Sequence, residues 1–198
     1  MLVFWKEKLV LLAVPKTGTT SLEQALAPRS DMVIRNPPEL KHANYARYQR
    51  WIEPFLEKAG GPPLETLAVV RHPIDWLGSW YRYRHRDALV GRPNSTRDMS
   101  FDTFVNDYCR GKQPPHAHVG SQAKFVSNSD GARGVDHLFR YEEPDRLSAF
   151  VESRLGYRPD AERANVSPTV DLVLSPGVEA KLRRKRPEEF DLWEQAGA

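Results

Sequence analysis

The chain has 198 residues, 40% of them hydrophobic and 28% charged, the balance of a globular chain rather than a disordered or fibrous one. Lys+Arg 29 against Asp+Glu 26 leave a formal charge of +3, enough for a local anion site but not for a basic face that coats nucleic acid. A single cysteine, Cys109, excludes an internal disulfide framework and any Cys-rich zinc module. In chain order, the apolar opening residues precede Lys6 and Lys8, the reverse of a signal peptide. Residues 9–14 (LVLLAV) form the longest apolar run, too short to span a bilayer and without polar alternation. That run predicts a strand buried on both faces, as in a parallel sheet. After Pro15 comes a Gly/Thr-rich turn, and Thr20 with Glu23 fits the capping box of a short helix ending near Pro28.

Residues 32–34 make a second, short strand. Tyr45, Tyr48, Trp51, Ile52, Phe55 and Leu56 recur at helical spacing, with Pro54 as a kink or restart and Gly60-Gly61 as the stop. Residues 64–70 form another buried strand, halted by Arg71-His72-Pro73, and Asp75 is placed to cap the helix bearing Trp76, Trp80 and Tyr83. Ser100 caps a helix with Phe101, Phe104, Val105 and Tyr108. Residues 135–139 are a weaker strand, residues 144–155 a helix closed by Gly156, and residues 176–198 a charged helical tail. Strands alternating with helices predict one α/β domain over residues 1–198, a three-layer fold whose mostly parallel sheet is flanked by helices. The expected setting is cytoplasmic, with neither a membrane span nor a nucleic-acid partner.

Two strand ends carry chemistry. Pro15-Lys16-Thr17-Gly18-Thr19-Thr20-Ser21-Leu22 joins a buried strand to a helix start, where backbone N–H groups and the helix dipole favour an anion. Gly18 admits a ligand close to the backbone, Thr19, Thr20 and Ser21 offer hydroxyls, and Lys16 a mobile charge. The loop is not a Walker A motif, because its lysine precedes the only glycine instead of following the second one. At the other strand end, Arg71 shares the carboxyl edge of a parallel sheet with Lys16, and Ser79 follows on the next helix. A guanidinium fork and a hydroxyl would grip one anion from two sides. A surface pair between Arg71 and Asp75 is the plainer alternative.

Together these segments resemble the sulfotransferases that use 3′-phosphoadenylyl sulfate (PAPS). The first is similar to that family's 5′-phosphosulfate loop. The Arg71-His72-Pro73 stretch with Ser79 is similar to its 3′-phosphate motif, and Phe139-Arg140-Tyr141-Glu142 to a late strand-end motif. The resemblance covers residues 9–155. It implies a P-loop-NTPase-like fold and transfer of a sulfuryl group to a hydroxyl or amine, on a small-molecule or carbohydrate acceptor. It also implies PAPS as donor, 3′-phosphoadenosine 5′-phosphate (PAP) as product, and no metal. Lys16 would neutralise the leaving phosphate oxygen, and the backbone over Thr17, Gly18, Thr19, Thr20 and Ser21 would hold the 5′-phosphate. Arg71 and Ser79 would hold the 3′-phosphate. A hydroxyl acceptor needs a general base; His42, beside Lys41, is the candidate and Glu39 the runner-up. The family's late Arg-Lys-Gly segment has no counterpart, since Arg110-Gly111-Lys112 comes too early.

Two other functions fit the loop: a P-loop-type small-molecule kinase, which the displaced lysine disfavours, and a non-catalytic binder of 3′-phosphoadenosine nucleotides. Ser121-x-x-Lys124, Ser129-Asp130 and Lys16-Thr17-Gly18 imitate a β-lactamase set in the wrong order. His116-x-His118 lacks the further ligands of a metal site and reads as part of a polar stretch, residues 86–120, at the acceptor entrance. Lys181 to Arg186 reads as a solvated helix face, and Cys109 as buried.

Overall fold

The computed structural model describes residues 1–61, 63–159 and 172–196. Its centre is a five-stranded open sheet in the order β3-β1-β2-β4-β5. These are β1 Leu2–Phe4, β2 Leu9–Leu12, β3 Met32–Val33, β4 Glu65–Val70 and β5 His137–Arg140. β2, β4 and β5 pair in parallel, with Leu12 opposite Ala68 and Val70 opposite Arg140. β1 runs antiparallel to both β2 and β3, so it alone points the other way. The mixed, mostly parallel sheet expected from the apolar runs is therefore present.

The helices are α1 Thr19–Leu26, α2 Pro38–Lys41, α3 Tyr45–Arg47, α4 Glu53–Lys58, α5 Pro73–Arg84, α6 Phe101–Tyr108, α7 Gln122–Val126, α8 Pro144–Leu155, α9 Pro176–Lys185 and α10 Pro187–Gln195. Strand residues alternate between two cores. Leu9 and Leu11 face Leu22 and Leu26 of α1 and Leu147 and Val151 of α8. Val10 and Leu12 face Tyr48, Leu56, Phe125 and Leu192 on the other side. A third core joins α5, α6, α9 and α10 through Trp76, Leu77, Phe104, Tyr108, Leu182 and Phe190.

Several boundaries differ from the sequence expectation. α1 begins after Gly18, whose φ of 74° caps no N–H with a side chain, and Thr20 lies inside the helix. The capping box does not form, because Glu23 turns instead to Arg35 and Lys41, at 2.6 and 2.9 Å. α5 starts at Pro73 behind His72, leaving Asp75 in the first turn, where it suits the dipole without capping. The helix from Tyr45 restarts as expected, with Pro54 in the first turn of α4, but Tyr48–Ile52 before it is a π-helical turn. Pro54 has no N–H to give residue 50, so the widened turn loses nothing there. β5 begins two residues late, because the Asp136 carboxylate takes Thr66 N and Oγ at 2.7 and 2.8 Å ahead of the ladder. The tail breaks at Pro187 and folds back on the domain. Ser100 and Gly156 act as expected: Ser100 accepts from Thr103 N, and Gly156 closes α8 with φ 63°. Among the described residues, no helix is long and apolar enough to cross a membrane.

Candidate functional site

The carboxyl ends of β2, β4 and β5 lie side by side, and three loops leave them in the same direction. In the first loop Lys16 (φ 69°) and Gly18 (φ 74°) are both left-handed. Lys16 holds a conformation that costs a non-glycine residue about 1–2 kcal/mol. Gly18 is required twice over, since a Cβ there would stand 2.8 Å from the Tyr141 ring. Two bonds fix the turn: fully buried Thr17 donates its hydroxyl to Val14 O at 2.9 Å, and Trp76 Nε1 of α5 donates to Pro15 O at 2.9 Å. The Thr17 hydroxyl thus belongs to the loop, and only its backbone is left for a ligand.

In the second loop the Gln122 side chain makes a pair of hydrogen bonds with the Arg71 backbone. Its Oε1 accepts from Arg71 N and its Nε2 donates to Arg71 O, both at 2.8 Å. The Arg71 guanidinium lies 4.7 Å over the Tyr141 ring, and its Nε is buried with no hydrogen-bond partner among the described residues. Asp75 is exposed and is not its ion-pair partner, so the surface pairing weighed from sequence does not form. The third loop is the crosspiece. Glu142 accepts from His72 N at 2.8 Å and from Trp193 Nε1 of α10 at 3.0 Å. Arg140 stacks 4.0 Å over Trp193 and donates to the carbonyls of Trp193 and Glu194.

Positive charge collects between these loops. Lys16 Nζ sits 4.3 Å over the Tyr83 ring and 5.7 Å from that of Trp80, and Arg86 lies 4.6 Å over Tyr83. Burial first, then Arg86, Arg71 and Arg82, lower the Lys16 pKa to about 8. None of Lys16, Arg71, Arg82 and Arg86 forms a carboxylate ion pair among the described residues. Ser79, on the same helix as Trp76 and Tyr83, is buried. Such a cluster, with an orphaned buried guanidine nitrogen, fits a polyanion carrying at least two charged groups. Comparison with protein-family models, curated proteins and solved structures finds no match to this chain.

His42 stands at the root of the first loop, its Nδ1 2.7 Å from Ala13 O. A carbonyl only accepts, so Nδ1 carries the proton and Nε2 of the neutral ring is left as the basic nitrogen. Burial lowers its pKa, outweighing the Ala13 carbonyl, which raises it. Lys41, bound to Glu23, docks this segment against α1. Glu39 lies exposed on α2.

The other sequence candidates are structural. Ser121 accepts from Lys124 N as the cap of α7, and Ser129 and Asp130 lie in an exposed turn. His116 Nε2 pairs with Asp107 at 2.7 Å, while buried Arg84 donates to the carbonyls of Pro115, His116 and His118. Cys109 is buried, its thiol pushed up by desolvation. Of the basic run, Arg183, Arg184 and Lys185 are exposed, but Lys181 turns in to Asn106 and Arg186 to Tyr108. Sequence reasoning gave no site role to Arg82, Arg86 and Gln122, placed Tyr83 only on the helix, and quoted Tyr141 only within the late strand-end motif. The alternating basic residues Arg82, Arg84 and Arg86 were the one visible signal, and only the fold separates inward Arg84 from the other two.

Proposed function

We propose that this protein transfers a sulfuryl group from PAPS to a hydroxyl or amine acceptor. The observation that carries the reading is the cation cluster at neighbouring strand ends: Lys16 after β2 and Arg71 after β4, without carboxylate partners among the described residues, where Arg71 Nε is also buried and unanswered. A donor with a phosphosulfate at one end and a phosphate monoester at the other offers an anionic group to each of these strand ends.

In this reading the backbone from Thr17 to Ser21 and the start of α1 hold the 5′-phosphate. Arg71 and Ser79 hold the 3′-phosphate. Lys16 neutralises the phosphate oxygen from which the sulfur departs, and its lowered pKa keeps it close to the protonation range useful for giving a proton there. The sulfur–oxygen bond to the donor phosphate breaks as one to the acceptor oxygen forms. His42 Nε2 takes the acceptor's proton, and the Ala13 carbonyl holds the ring in the tautomer that does so. The acceptor belongs to the small-molecule or carbohydrate class that the resemblance implies.

Thermal unfolding with PAP, and with ATP plus magnesium, tests the reading. PAP should raise the midpoint strongly and ATP–magnesium little. Stabilisation by ATP–magnesium alone would move the protein to the kinases. Transfer of label from PAPS across an acceptor panel then separates an enzyme from a nucleotide-binding protein that lacks turnover.

A further inference from the structure

Arg82 stands three residues after Ser79 and four after Gly78, so on the α-helix α5 it shares their side. Its guanidinium folds back along the helix: Nη1 lies 3.7 Å from where a Cβ of Gly78 would stand. Burial first, then the Arg71 charge, lower its basicity, and Asp75 offsets only part. Neither guanidinium has a carboxylate within ion-pair reach among the described residues. Two half-buried guanidinium groups held together repel each other unless an anion lies between them. Arg71 Nε, buried without a partner, faces the same shortage of acceptors.

We propose that Arg82 is a second cation of the anion site at the end of β4, gripping one phosphate monoester together with Arg71 and Ser79. The assignment rests on the donor reading above and names the part of the nucleotide concerned, the 3′-phosphate. A monoester phosphate is close to a dianion at neutral pH, and two guanidinium forks match its charge and its oxygens better than one. Lys16 and the start of α1 serve the 5′ end of the same ligand; the Arg82 charge also acts on Lys16, but ranks after Arg86 and Arg71.

Calorimetric titration of the wild-type chain, Arg82→Gln and Arg82→Lys with PAP and with adenosine 5′-monophosphate tests this. Arg82→Gln should bind PAP about tenfold more weakly, the worth of one charged contact, and adenosine 5′-monophosphate with a clearly smaller loss. Arg82→Lys should recover part of the loss, as a point charge without the fork. Circular dichroism and unfolding midpoints confirm that each variant is folded, and the lysine form serves should the glutamine form not fold. An equal loss for both nucleotides, or none for PAP, overturns the Arg82 assignment alone. A wild-type chain that binds PAP no better than adenosine 5′-monophosphate overturns the donor reading and this inference together.

Discussion

Single residues in this site are held in states they would not adopt alone. Lys16 accepts a left-handed backbone and a lowered pKa because Trp76 pins Pro15, and because the Tyr83 and Trp80 rings receive its ammonium. Arg86 is the first neighbour, after burial, to depress it. Replacing Arg86 with Gln should therefore raise the Lys16 pKa from about 8 toward its ordinary 10.5, moving the pH at which Lys16 becomes reactive to an acylating reagent upward. An unmoved profile would mean that Arg86 is screened from Lys16 by solvent. Arg71→Ala should weaken PAP binding by about 1.5–3 kcal/mol, the worth of hydrogen bonds from a charged group. Calorimetry reads that loss directly, and an unchanged affinity removes Arg71 from the site. At this scale the sequence exposed Lys16, Gly18, Arg71 and Ser79, because each stands at a fixed offset from a strand end. It hid Gln122 and the contacts of Tyr141 with Gly18 and Arg71, which depend on which loops the sheet brings together.

Among elements, α5 does the most to shape the site. One of its faces presents Trp76, Trp80 and Tyr83 along the Lys16 loop, while Leu77 and Tyr81 enter the third core. Trp76→Phe keeps the apolar contact but removes the donor to Pro15 O and leaves a small void. It should cost about 1–3 kcal/mol in stability. Hydrogen exchange should show the added opening at the first loop more than at β4, whereas a uniform increase would mean that the bond carries no local constraint. The elements themselves were mostly legible. β2 and β4 showed as unalternated apolar runs because both of their faces are covered. β1 escaped because three residues carry no period. α7 escaped for the same reason of length. The π-helical turn kept helical periodicity, so the sequence showed the restart at Pro54 but not the widened turn before it.

Across the whole molecule, the tail is part of the site's support rather than an appendage. Leu182, Phe190 and Leu192 are buried in two cores, and Trp193 braces the Arg140–Glu142 crosspiece. α10 also carries Glu189, 2% exposed, whose Oε2 accepts from Gln122 N at 3.1 Å while Oε1 is buried without a partner. The path from α10 to the second loop thus runs Glu189, Gln122, Arg71. Burial, its largest influence, raises the Glu189 pKa above the ordinary 4.5, despite the hydrogen bonds to Ser121, Gln122 and Ala123 that lower it. A carboxyl with a raised folded pKa binds its proton more tightly in the folded state. Its contribution to stability is therefore complete below the unfolded value and declines as pH rises through the folded one. Glu189→Gln removes this titration while keeping an oxygen for Gln122 N. Its unfolding midpoint should exceed that of the wild type at about pH 7–8, and the two should draw together as pH falls toward 4.5. Parallel midpoint curves over that range would show that Glu189 stays ionised in the fold, with its charge compensated where Oε1 now has no partner.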